Sequence, residues 1–273
     1  MLLEGFVATS TISNRLQNVD NQRLMTLDSS PTFWLADALH LPCAPIRLGS
    51  MISPQPSIYP FGIRIDEPMT TFTDVIVAAV CFYAFYQLNK SKFPGRAQML
   101  FRYYFLLMGV ATFLGGVIGH GFLYALSFGW KLPGWIISMF SVALIERSAI
   151  SHAGLLIKPH TARFFLIFNF LELIAIITIT MSTLDFKWVQ FHSGYGLLAI
   201  VSTFHLYTYF RTGDKGSLYI LGGVAITCIA SYIYINKLSL HTWFNYLDIS
   251  HILLALAAYV QYLGAFKFQE RDT

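Results

Sequence analysis

From residue 71 onward the chain alternates long apolar stretches with short polar gaps. Seven stretches carry the pattern, at 71–88, 103–127, 133–156, 163–183, 189–210, 216–235 and 245–266. Each is close to the ~20 apolar residues that a helix needs to cross a hydrocarbon core of ~30 Å. The gaps are short, so consecutive helices are expected to be antiparallel neighbours. The pattern predicts an all-α fold: an integral membrane bundle of seven transmembrane helices.

The first 70 residues read differently. They are polar, with proline at 31, 42, 45, 54, 56, 60 and 68, which suits an irregular or partly disordered arm more than a second domain. Phe33 to Leu41 could form a short helix lying at the membrane interface. The opening MLLEGFVATSTIS has neither a basic start nor a long apolar core, so no cleaved signal peptide is expected. The expected organisation is an arm over 1–70, a seven-helix domain over 71–266 and a short tail over 267–273.

Composition agrees with this division. With 55% of its 273 residues hydrophobic and 12% charged, the chain cannot cover a soluble globule with polar surface. Its three cysteines, Cys43, Cys81 and Cys228, form no CxxC pair, and the last two fall inside apolar stretches, so no disulfide framework is expected. The net charge of +4 reflects where Lys and Arg flank the membrane, and no nucleic-acid function is read from it. Lys90, Lys92, Arg96, Arg102, Lys158, Arg163, Arg211, Lys215, Lys267 and Arg271 share one side, whereas Lys131, Lys187, Lys237 and Arg64 lie on the other. The richer side should be cytoplasmic, which places the N-terminus outside and the C-terminus in the cytoplasm. The sequon Asn89-Lys90-Ser91 then faces the cytoplasm and should go unused.

Ionisable residues at bilayer depth are costly and often mark a site. At ~1.5 Å rise per residue, Asp74, His120, His192, Asp248 and His251 come out at one depth near the outer ends of four helices. Asp248 and His251 share a helical face, with Asn245 on nearly the same stripe. Imidazoles and carboxylates on rigid helices at one depth suit a zinc-type site, and Gly115, Gly116 and Gly119 would let the second helix approach a neighbour closely. Asp74 and His192 are also near enough to the interface to be simply hydrated. Glu146, Arg147 and Glu172 are expected to form a structural pair, Arg147 with Glu172 or with Glu146. Ser138, Ser141, Thr178 and Thr180 read as ordinary hydrogen-bonding residues of helices three and four.

With seven helices, a His in GGVIGHGF and an acidic–His pair in LDISHILLALAAY, residues 70–266 resemble the superfamily that contains the alkaline ceramidases and the adiponectin and progestin receptors. The resemblance implies an intramembrane zinc site with His120 and His251 as ligands, and hydrolysis of a lipid amide. The chain departs from the family pattern in having Gly116 where a Ser is expected, no Asp in the third helix, and Leu247 at the first position of a His-x3-His pair. Asp74 and Asp248 are assigned to complete the set on depth alone. The outside N-terminus matches the ceramidase branch.

The expected function is therefore a zinc-dependent intramembrane hydrolase of a lipid amide or ester. His120 and His251, with Asp248 and His192, are the candidate metal ligands, and Asp74 or Asp248 the general base. The same pocket without catalysis would make a lipid-binding receptor or transport protein. A different class is haem-based electron transfer, with His152 and His205 as a second histidine layer. His192 and His205 are 13 residues apart, however, or about 140° around a helix, which sets them on different faces. No mid-span proline or inverted repeat points to a transporter.

Overall fold

Proline and short polar residues set where the helices begin. The computed structural model describes residues 55–90, 95–154 and 156–270; the interfacial helix considered over Phe33 to Leu41 lies outside them. Helices α1 (Pro68–Asn89), α3 (Leu132–His152) and α4 (Pro159–Thr183) each carry proline in the first turn, where its missing N–H would have had no partner anyway. Helix α2 (Arg96–Leu114) runs on into a π-helical turn, Gly115–Gly121. Helix α5 (Lys187–Tyr195) passes through a second π-turn, Gly196–Val201, into α6 (Ser202–Thr212). Gly213, at φ 69°, ends that column, and Asp214 at once caps α7 (Lys215–Ile235) by accepting from the Ser217 N–H at 2.8 Å. Helix α8 (Tyr246–Phe266) opens on a capping box: Asn245 accepts from the Leu247 N–H at 2.8 Å, and Asp248 accepts from the Asn245 N–H at 2.7 Å.

The columns close into a ring. Each packs on the next in chain order, α6 passes the contact on to α7, and α8 returns to α1. Helix α3 is the most central, touching α2, α4, α5, α6 and the second π-turn. The seam between α7 and α8 is close: a Cβ on Gly264 would lie 2.8 Å from the Gly216 carbonyl oxygen. The core around α3 is built from Phe101, Phe105, Ile145, Ile150, Ile220 and Phe268, all fully or almost fully buried. Large apolar side chains also cover the outside, including Phe164, Phe170, Leu171 and Ile174 of α4 and Ile229, Tyr232 and Ile235 of α7.

Among the described residues six helices are long and apolar enough to cross a membrane: Pro68–Asn89, Arg96–Gly121, Phe128–His152, Pro159–Thr183, Lys215–Ile235 and Tyr246–Phe266. The stretch expected at 189–210 is the column made by α5, the second π-turn and α6, in pieces of 9, 6 and 11 residues. The second helix starts and ends earlier than its apolar stretch. Its polar first turns are held inside the bundle, with Gln98 donating to the Ala265 carbonyl at 3.2 Å and Arg102 to the Leu88 carbonyl at 3.1 Å. Beyond Gly121 the chain breaks into short 3-10 turns. Among the described residues there is no strand, and the isolated bridges are Ile58–Ile65 and His241–Phe244.

Candidate functional site

The site is assembled at the end of the bundle where α1 and α8 begin and α2 ends. The segment before α1 is bent back by the Ile58–Ile65 bridge, braced by Ser57 and Arg64 on Asp66, and tied to α2 by the Asp66 N–H on the Gly121 carbonyl at 3.0 Å. Glu67 follows at φ 43°, in the left-handed region, uncommon for a residue with a side chain. Thr70, Thr73 and Asp74 then fall three and four residues apart and share one face of α1.

Helix α2 meets that face through its π-turn. A Cβ on Gly116 would sit 2.7 Å from the Asp74 Cβ and 3.1 Å from the Thr71 carbonyl oxygen, so only glycine allows this approach. The turn presents His120 with Nε2 3.9 Å from Asp74 Oδ2 and Nδ1 2.5 Å from Glu67 Oε2. From α8, His251 places Nε2 3.5 Å from Asp74 Oδ1 and Nδ1 3.1 Å from Thr73 Oγ1. The two rings stand edge to face with centroids 6.2 Å apart.

The hydrogen bonds fix where the protons are. Thr73 donates its hydroxyl proton to the Thr70 carbonyl at 3.1 Å, so toward His251 it accepts, and Nδ1 of that ring carries the proton. The Glu67 carboxylate likewise accepts from Nδ1 of His120. That bond, opposed by burial, holds the Glu67 carboxyl below its usual range. In their neutral forms both imidazoles thus turn Nε2 toward the two oxygens of one carboxylate.

Asp248 is next to this group but engaged elsewhere. Fully buried, it accepts from Thr70 Oγ1 at 2.9 Å, from Gln55 Nε2 at 2.7 Å and from the Asn245 N–H. It holds α8 to α1 and caps its own helix, in place of the ligand or base role assigned to it on depth. His192 is not part of this group either. Its Nδ1 lies 2.8 Å from Glu172 Oε1 and its Nε2 3.1 Å from the Met139 carbonyl oxygen, between α3, α4 and α5. Equal depth had grouped it with His120, but helix rotation turns it to other neighbours.

The expected Arg147 pair also takes another form. Arg147 donates to Asn169 Oδ1 at 3.1 Å and to the Leu166 carbonyl at 3.2 Å, and Asn169 donates on to Glu146 Oε2 at 2.8 Å, while Glu172 pairs with His192. Among the described residues, the group whose potential ligand atoms all lie within 4.8 Å of one another is Glu146, Glu172 and His192.

His152 and His205 meet at the other end of the bundle, with ring centroids 5.6 Å apart. Phe268 stacks on both, at 4.0 Å from His152 and 5.8 Å from His205, filling the space beside them. His152 Nε2 lies 2.9 Å from Asp214 Oδ2, and Ser217 joins the same oxygen through its hydroxyl and its N–H. This knot fastens α3 and α6 to the start of α7. Burial works to raise the Asp214 carboxyl, but the bonds from His152 and Ser217 outweigh it and hold the group well below the usual carboxylate range.

Glu67, Thr73, Thr70 and Gln55 were not singled out in the sequence. Thr70 and Thr73 at helical spacing with Asp74 were a usable signal. Gln55 and Glu67 had none, because their roles depend on a left-handed turn ahead of the helix.

Residues 69–270 match the model of a family described as "Family of unknown function (DUF6962)", and the chain belongs to that family. Neither the curated proteins nor the solved structures gave a match to the chain.

Proposed function

We propose that the protein is a seven-span membrane hydrolase with its N-terminus outside. In this reading Asp74, His120 and His251 hold a zinc ion and the substrate is a lipid amide or ester, as the resemblance to the ceramidase-containing superfamily implies. The observation that carries it is the convergence of the Nε2 atoms of His120 and His251 on the two oxygens of Asp74. Ligand atoms at zinc's ~2.0–2.1 Å bond length lie about 3.3–3.4 Å apart around a tetrahedral ion. The observed 3.5 and 3.9 Å separations are near that edge and long for direct hydrogen bonds, but they run to different Asp74 oxygens, so binding would draw the three side chains closer together.

Bound zinc supplies Lewis acidity, polarising a carbonyl and making water more acidic. The chain supplies everything else. Glu67 and Thr73 fix the tautomer and tilt of the two rings, the outer-shell role that metal-binding histidines require. Asp74 faces both rings, one oxygen toward each, as the carboxylate of the set. The Gln55–Asp248–Thr70 bonds hold α1 and α8 at the spacing the rings need. His120 is partly open to the outside, which gives substrate a route in. The apolar outer faces of α4 and α7 suit contact with lipid, and the cation count sets the orientation.

Zinc content and hydrolysis of lipid amides by the detergent-purified full chain test this, beside a His120→Ala, His251→Ala variant. The variant should lose about one bound zinc per chain and all hydrolysis. Unchanged zinc content, or hydrolysis that survives the variant, would sink the assignment.

A further inference from the structure

A second polar group lies among α3, α4 and α5, where Glu146 and His192 are fully buried and Glu172 nearly so. Glu146 uses one oxygen, Oε2, to accept from Asn169; its other oxygen, Oε1, is buried without a partner. Glu172 repeats the pattern, with Oε1 beside His192 and Oε2 buried and unpartnered. The nearest guanidinium, that of Arg147, is directed to Asn169 and the Leu166 carbonyl and does not bond either carboxylate. Two carboxylates in an apolar bundle, each with an unpartnered oxygen and facing a single imidazole, are far from electrostatic balance.

The histidine is set up to join them. The Met139 carbonyl can only accept, so His192 Nε2 carries a proton and donates it there. Its Nδ1 faces Glu172 Oε1, also an acceptor when ionised, so a proton or a metal ion must sit between the two. An imidazole held through one nitrogen on a backbone carbonyl, with the other nitrogen turned toward carboxylates, is the arrangement a metal-binding His adopts. The backbone leaves room for it. Gly196, four residues after His192, opens the second π-turn, and a Cβ there would collide with Glu146 Oε1 and come within 2.8 Å of Val142 Cγ1. π-turns of this kind recur at functional sites.

We propose that Glu146, Glu172 and His192 form a binding site for a divalent first-row transition-metal ion, separate from the Asp74–His120–His251 group. The two carboxylates neutralise the ion's charge, and His192 Nδ1 is the nitrogen donor. Mixed oxygen and nitrogen ligation selects the zinc, iron and manganese class over calcium or magnesium.

Cobalt(II) is the probe, because its visible ligand-field bands report the donor set. The full chain in detergent is stripped with a chelator, and cobalt is titrated into the His120→Ala, His251→Ala protein. That protein should bind about one cobalt per chain with oxygen and nitrogen ligation, and the band should disappear when Glu146→Gln is added. Gly196→Ala, which leaves all three ligands in place, should weaken binding at least about tenfold through its contact with Glu146. In the otherwise wild-type chain, Glu146→Gln and Glu172→Gln should each remove one cobalt, whether or not the other site binds. The proposal is overturned if the His120→Ala, His251→Ala protein binds no cobalt while the wild type does. It is equally overturned if neither glutamate substitution changes the amount bound, or if the wild type binds none. An ion lost only with His120 and His251 would leave the hydrolase site standing and remove this one; the reverse pattern would do the opposite.

Discussion

Gly116 and Glu67 show how much of the site depends on single positions outside the Asp74–His120–His251 group. Gly116→Ala would force a methyl group against Asp74 Cβ and the Thr71 backbone, both fixed by α1. It is expected to destabilise the protein by about 1–3 kcal/mol, read as a lower Tm in detergent, and to weaken the proposed zinc binding by His120 and His251. Glu67 has a depressed folded pKa, so its contribution to stability is complete above its unfolded value of about 4.3 and is lost as pH falls through the folded one. Glu67→Gln should therefore lower Tm by a constant amount from pH 7 to 5, and the gap to wild type should close in stronger acid. A gap that stayed open in strong acid would show that the ionised carboxylate does not supply this stability. The sequence made His120, His251 and Asp74 legible, because ionisable side chains at matched depth stand out against apolar text. It could not separate them from His192 and Asp248, since depth says nothing about rotation around the helix axis.

Among the elements, the helix spans were legible to within a few residues wherever proline or a capping residue marked the start. The two π-turns were not, because Gly115–Gly121 and Gly196–Val201 look like ordinary apolar helix to any hydropathy window. Each turn adds a residue to its column and so rotates everything beyond it relative to a regular helix. The start of α7 offers a direct test of capping. Asp214→Ala removes the acceptor of the Ser217 N–H and the partner of His152, and should cost about 1–2 kcal/mol. The Asp214 carboxyl is also depressed by folding, so this contribution is full at any pH above about 3.9 and falls away only in strong acid. Chemical denaturation at pH 7 and at pH 5 should give the same loss; a loss that vanished by pH 5 would contradict the assigned network.

For the whole molecule, the arrangement of the ring is described, while its orientation in a membrane rests on the distribution of Lys and Arg. Leu16→Thr creates an Asn-Arg-Thr sequon at Asn14, and in microsomes it should be glycosylated, with Asn89 left bare. Sugar on Asn89 would reverse the orientation and with it the membrane face on which His120 lies. Ring closure itself could not be read from the sequence, which shows neighbours along the chain but not that the last helix returns to the first.

That closure carries a consequence for how the protein is made. Gln55 and Asp248 are joined by one buried hydrogen bond across 193 residues, and His251 reaches Thr73 across 178. The site can exist only after the final helix has left the ribosome and docked on the first. A chain halted during synthesis, or one whose last helix is delayed, would expose Asp74 and His120 without their third partner. Any quality-control step that senses unshielded polar groups in the bilayer would therefore read completion of the Asp74–His120–His251 group as the signal that biogenesis is finished.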